Sequence, residues 1–259
     1  MTVITNDISA GLSFDSKGSF CLLLCFDPII CPGAILPQAL SIARSAGFEA
    51  TILHCAVTTS SPFHPDTSVR MIRDYLDEAN VRLVGLKVRN LTGLNDKGEI
   101  NLEACLRYVE WDIHLARALR LKTANFRGGA PSVEAKHLLI KGVHQMLKRI
   151  PDVRLNVGNG INTCLQRLAD FQEIVPKLPP RANVWLDATQ LAEAIELVDL
   201  YANRIGLVTI GANDLEVVQA LQANGYKGPL VISVQQPTTN PVPVLKRICQ
   251  QVNGQLSTL

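Results

Sequence analysis

Eight short apolar runs of about five residues recur along this chain, with helix-length amphipathic stretches between them. That alternation limits the fold more than any other feature. The runs are residues 20–26, 50–54, 82–88, 123–126, 154–157, 184–187, 206–210 and 230–234. They are continuously apolar, not alternating, and several are rich in Val, Ile and Leu. A parallel strand covered on both faces has that composition. Between them, Leu102, Cys105, Leu106, Val109, Ile113 and Ala116 recur at three- and four-residue spacing and place one apolar stripe on a helix. Leu191, Ile195 and Val198 do the same behind Thr189, which reads as an N-cap. Leu215, Val218 and Leu221 follow Asn213, a second cap candidate, and Gly225 stands where a left-handed residue closes a helix. Pro37 falls in the first turn of a helix running to about Ala46, where its missing donor does no harm.

This pattern predicts an α/β protein: a single (β/α)8 TIM barrel of eight parallel strands over residues 19–259, in preference to a doubly wound open sheet. No Gly-x-Gly-x-x-Gly follows a strand, and Arg127-Gly128-Gly129-Ala130 is the nearest approach. The prolines at 179–180 and within 237–243 belong to segments of loop length, so no linker divides the chain. Residues 1–18 are polar and are expected to be partly disordered.

At 47% hydrophobic and 19% charged, the composition is that of a soluble protein with a large core. A net charge of +2 from 25 scattered basic residues gives no expectation of a nucleic-acid or acidic-membrane partner. No run approaches the roughly 18 apolar residues of a membrane span. The opening lacks a basic region leading into an apolar one, so no secretion signal is expected. Seven cysteines without a Cys-x-x-Cys spacing read as small buried hydrophobes in a reducing cytoplasm, and no Cys or His pairing suits zinc.

Three segments carry a family resemblance. Residues 39–49 look like a first helix leading into a second strand. Residues 113–122 look like the helix before a fourth strand. Residues 221–229, with Gly225-Tyr226-Lys227-Gly228, look like the approach to an eighth. In order and spacing, from about residue 20 to 250, the chain resembles the xylose isomerase-like barrels, which include sugar-phosphate isomerases and epimerases and endonuclease IV-like proteins. The resemblance implies a metal site of carboxylates and imidazoles at several strand ends, since hard divalent cations want anionic oxygens and fixed nitrogens. The sixth-strand Asp of that site is matched by Asp187 in Val184-Trp185-Leu186-Asp187-Ala188-Thr189-Gln190, but its His partner is Gln190. Where the family has Glu after the fifth strand, the chain reads Val157-Gly158-Asn159. The expected seventh-strand His falls near Thr209, the eighth-strand Glu falls near Ser233 beside Gln235 and Gln236, and His54 ends the second strand where Glu is common. One carboxylate and one imidazole do not compensate a divalent ion, so no metal and no cofactor are expected.

Polar residues at the carboxyl ends of the strands are the site candidates in such a barrel. Asp187 is a general base or a ligand for hydroxyls, or else a carboxylate tied to a neighbouring loop. His54 is a proton shuttle or a half-buried imidazole bonded to backbone, and His64 lies in a loop that could cover the same mouth. Lys87 reads first as outward or salt-bridged, and only second as a Schiff-base lysine. Arg127 beside Gly128-Gly129 suits a phosphate or carboxylate, or forms a rim ion pair. Asn159, Gln190 and Asn213 are the remaining substrate-binding candidates. Asn156, Asn159 and Asn162 also read as turn and cap residues. Cys31 and Cys55 lie near the rim without an activating neighbour.

The expected function is isomerase-, epimerase- or lyase-type proton transfer on a polyol or sugar-like ligand. Asp187 and His54 would be catalytic, with no tightly bound metal. A degenerate barrel that binds a metabolite or protein partner is the alternative. An endonuclease fits poorly, because it needs a metal cluster and a basic groove. Homo-oligomerisation stays open.

Overall fold

The computed structural model describes residues 22–55, 68–234 and 240–257. Cys21, His64, Gln235, Gln236 and the N-terminal segment lie outside them. Eight strands form one closed, wholly parallel barrel in chain order: β1 (Leu23–Phe26), β2 (Ala50–His54), β3 (Arg82–Lys87), β4 (Thr123–Arg127), β5 (Arg154–Gly158), β6 (Ala182–Asp187), β7 (Ile205–Ile210) and β8 (Pro229–Ile232). β1 closes the ring on β8, with Cys25 opposite Val231. The major helices outside it are α1 (Leu36–Ala46), α2 (Val69–Ala79), α3 (Leu102–Ala118), α4 (Val133–Arg149), α5 (Leu168–Ile174), α6 (Ala194–Tyr201), α7 (Leu215–Ala223) and α8 (Pro241–Ser257). All eight apolar runs of the sequence therefore contain strands; 50–54 matches β2 at both ends, and the others differ by at most two residues at their ends within the described residues.

Two cores follow from the period of two in a strand. Outward residues such as Leu53, Leu86, Phe126, Val157 and Leu186 pack on the helices in one large cluster. Inward residues Cys25, Ala50, Ile52, Trp185, Leu207 and Val231 fill the barrel itself. The next inward position along the same strands is polar: Asp27, His54, Asp187 and Thr209, all buried. In β1, β2, β6 and β7 the barrel-filling residue is thus followed, one inward position on, by a buried polar side chain.

The helix readings hold with two corrections. The stripe on α3 is buried as expected at Cys105, Leu106, Val109, Ile113 and Ala116, and Gly225 is left-handed at φ 70°. Thr189, however, caps no helix. A short 3-10 turn occupies residues 188–190, α6 starts only at Ala194, and Ile195 is 36% exposed. At α7 the N-cap is Asp214, not Asn213. Cys25, Cys31, Cys55, Cys105 and Cys164 are buried and Cys249 half-buried, all as free thiols. No helix among the described residues is long and apolar enough to cross a membrane.

Gly158 makes the interior packing sharp. A Cβ there would overlap the Trp185 ring, which occupies the space a side chain from β5 would need. Gly158→Ala is expected to destabilise the fold by about 2 kcal/mol through overpacking. Urea unfolding followed by far-ultraviolet circular dichroism measures this, and an unchanged midpoint would contradict the packing.

Candidate active site at the barrel mouth

Two clamps of opposite charge stand at the carboxyl ends of the strands. In the first, Asp27 follows β1 and is 2% exposed. Its Oδ1 accepts from the Ile29 amide at 3.1 Å and lies 2.7 Å from His54 Nε2, and its Oδ2 accepts from Lys87 Nζ at 2.9 Å. An ionised carboxylate can only accept, so His54 Nε2 carries the proton of that bond. Burial alone would raise the Asp27 pKa. The charges and hydrogen bonds of Lys87 and His54 outweigh burial and hold it well below the usual carboxylate range.

In the second clamp, Asp187 ends β6 and is 3% exposed. Its Oδ2 accepts from Arg127 Nη2 at 2.7 Å and from Gln190 Nε2 at 3.0 Å, while Oδ1 accepts from the Thr189 hydroxyl at 2.6 Å. Burial raises the Asp187 pKa. The Thr189 bond and the charges of Arg127 and Lys87 oppose that shift without cancelling it. Burial also lowers the pKa of Arg127, against the pull of Asp187 and Asp27.

Trp185 lies beneath both clamps. Lys87 Nζ is 4.8 Å and the Arg127 guanidinium 4.7 Å from its ring, within cation–π range, and its indole N–H donates to Thr209 Oγ1 at 3.0 Å.

The remaining candidates hold the frame. Asn159 Nδ2 donates to the Asp187 carbonyl at 2.9 Å, and its Oδ1 accepts the Asp187 amide at 2.7 Å, fixing the end of β6. Gln190 donates to Asp187 while its Oε1 accepts the Ile161 amide at 2.9 Å, tying the loop after β5 to the site. Asn213 is exposed and lines a polar cavity of about 360 Å³ with Thr189, Gln190, Asp214 and Glu216, beside the mouth. Asn156 is inside the barrel, donating to Asn125 Oδ1 at 2.7 Å, and Asn162 is a left-handed turn residue. Lys87 points inward and is salt-bridged. Arg89 instead grips Asp112 of α3 with two bonds of 2.9 and 3.1 Å. The thiols are not activated: burial, followed by the Asp27 charge, pushes Cys31 up to about 11, and burial raises Cys55 further.

Asp27 and Trp185 escaped the sequence reading. The signal for Asp27 was present in Phe26-Asp27-Pro28, a carboxylate directly after an apolar run, as in Leu186-Asp187. It reads equally well as an ordinary turn.

The residues do not fit the divalent metal that the resemblance implies. Every oxygen of both carboxylates already accepts from protein donors, and two cations stand beside them. No group of three His, Cys, Asp or Glu suited to a metal is assembled among the described residues.

This is the fold of the xylose isomerase-like barrels, with an ion-paired mouth. An L-ribulose 3-epimerase superposes with a TM-score of 0.72 at 14% identity, covering 92% of this chain and 95% of that one. The IolI protein, solved with a zinc atom, gives 0.71 at 13% identity over 92% and 97%. A xylose isomerase-like TIM barrel/4-hydroxyphenylpyruvate dioxygenase fusion protein gives 0.71 at 14% identity over 92% of this chain, which spans only 44% of the fusion's length. No protein-family model matches the sequence, and neither does any curated protein.

Asp27→Asn is expected to destabilise the protein by about 3–5 kcal/mol at pH 7, because it leaves Lys87 buried without its counter-charge. A depressed folded-state pKa stabilises above the unfolded value of about 3.9, and that contribution is lost as pH falls towards the folded value. The gap between wild type and variant in denaturant titrations should therefore be full above about pH 5 and shrink below about 4. A gap that widened on acidification would reverse the sign. Purified protein should also carry well under one equivalent of Mn, Zn or Co, with its Tm unmoved by EDTA. A stoichiometric ion held by Asp187 would show that the clamps open.

Proposed function

We propose that the barrel mouth is the active site of an isomerase- or epimerase-like enzyme that moves a proton on a polyol or sugar-like ligand without a divalent ion. The observation that carries this reading is the placement of two proton-active groups. His54 ends β2 and Asp187 ends β6, four strands apart in a ring of eight and so on opposite sides of the mouth. Asp187 is a carboxylate held by Thr189, Arg127 and Gln190, and a proton taken up by it displaces one of those donors. Burial brings its pKa up towards the range useful for a general base. Asp27 fixes the imidazole of His54 by its Nε2, leaving Nδ1 for exchange with ligand.

A carbon acid between the two reacts in balanced steps. Asp187 takes the proton on carbon next to a carbonyl, and the C–H electron pair moves to the carbonyl oxygen as an enolate. Protonated His54 then delivers a proton to the other face of that carbon, and the oxygen returns its pair. The centre is inverted, and Asp187 and His54 regain their starting states by proton exchange with water. Arg127 orients the ligand at Asp187, and Asn159 and Gln190 keep Asp187 in place. Asn213 extends the binding surface into the adjoining polar cavity. The epimerase and isomerase-like barrels that share the fold give this reading context, though a shared fold does not carry an activity across.

The second reading, a barrel that binds and does not react, is favoured by how fully both carboxylates are engaged by protein donors. Screening aldoses, ketoses and polyol acids in D2O separates the two. A substrate should take up one deuterium at the reacting carbon, and Asp187→Asn and His54→Gln should each slow that exchange by roughly 10²–10⁴. Exchange that survives in both variants would remove them from catalysis. A metabolite bound equally well by wild type and Asp187→Asn, with no turnover by either, would establish the binding protein.

A further inference from the structure

We propose that Lys87 and Arg127 form a built-in two-cation site that binds an anionic oxygen of the ligand, doing at this mouth what a divalent ion does in barrels that hold one. The inference rests on the proposed placement of the active site and names its ligand class: a small molecule bearing a carboxylate or phosphate, or developing an enediolate oxygen.

Hydrogen-bonding capacity carries the argument. The acceptors of both clamps are engaged, since each oxygen of Asp27 and Asp187 already receives a protein donor. The donors are not. Arg127 uses Nη2 alone, and its buried Nε has no partner among the described residues. Among the described residues Lys87 uses one of three ammonium protons, on Asp27. The Arg127 and Lys87 side chains are 26% and 14% exposed. Both also rest on one indole ring, so their positions are fixed together. A pocket with surplus donors, satisfied acceptors and two fixed cations is complementary to an oxyanion. It is not complementary to a third cation.

Trp185 reports on this directly. The chain has two tryptophans, and Trp111 is 77% exposed on α3, far from the clamps in its contacts, so Trp111→Phe leaves Trp185 as the sole indole. In that background, emission is followed during titration with oxalate (planar), inorganic phosphate (tetrahedral) and erythritol (neutral) at fixed ionic strength. Saturable shifts with oxalate or phosphate are expected, weakened roughly tenfold or more by Lys87→Met and by Arg127→Met. Oxalate binding alone marks a planar carboxylate or enediolate site, and phosphate binding alone marks a phosphate site. Should either substitution unfold the chain, the neutral pair Lys87→Met with Asp27→Asn removes cation and counter-ion together, and it should lose anion binding as well. The proposal is overturned if neither anion moves the emission, if the folded variants bind anions as tightly as the parent, or if Mn2+ binds the parent stoichiometrically. A response to erythritol alone overturns it while leaving a polyol site in place. Anion binding without deuterium exchange on any substrate supports it while removing the proposed chemistry.

Discussion

Buried charge must be compensated, and the way this barrel compensates it determines everything at its mouth. Two carboxylates that are almost wholly excluded from water cost several kcal/mol each unless paired. Each is paired with a cation from a strand that is two places away in the ring, Asp27 with Lys87 and Asp187 with Arg127. The reason is geometric. Inward side chains of a closed eight-stranded barrel fall into layers supplied by alternate strands, so residues on β1 and β3, or on β4 and β6, meet at one level. The strand skipped in each clamp does something else. β2 contributes His54 to the first, while β5 ends in Gly158, whose missing side chain makes room for Trp185.

The same layering explains why a metal centre and this arrangement are alternatives. A divalent ion gathers carboxylates by drawing their oxygens to one point. Lys87 and Arg127 bring equal formal charge but are tethered to their own strands, so each holds its own carboxylate over one shared indole ring. The positions of the charges are then set by strand register, not by a ligand sphere.

Much of this architecture was legible in the sequence, and the limit of legibility has a physical cause. A parallel strand buried on both faces must be continuously apolar, so 50–54, 154–157 and 206–210 could be placed to within a residue or two. Helix α3 announced itself because its core face repeats every three or four residues. Thr189 misled because the hydroxyl that caps a helix is the same group that donates to a carboxylate, and only the fold decides which acceptor is near. Asp27 was hidden by its local context, a turn before proline. The clamps themselves join residues sixty positions apart in both cases, a separation that no local pattern records. Arg127 was visible as a cation at a strand end, with anion binding and an ion pair both open. It makes the ion pair with Nη2 and leaves its other nitrogens free.

That double use of Arg127 bears on the chemistry. A cation wholly neutralised by its carboxylate would add little to binding, and a bare one could not be buried. Holding Arg127 by a single nitrogen compensates the buried charge and leaves its buried Nε without a partner among the described residues. Two such cations spread over separate groups polarise an oxygen less strongly than one ion of double charge at contact distance. The proposed proton transfer is a reaction in which a modest oxyanion stabiliser suffices and proton movement does the rest. Removal of a proton next to a carbonyl belongs to that class. It needs an enolate oxygen held by fixed donors, a base dry enough to accept a proton, and an acid facing it across the ring. In the proposed chemistry Lys87 with Arg127, Asp187, and His54 on Asp27 would meet those three requirements from five strand ends.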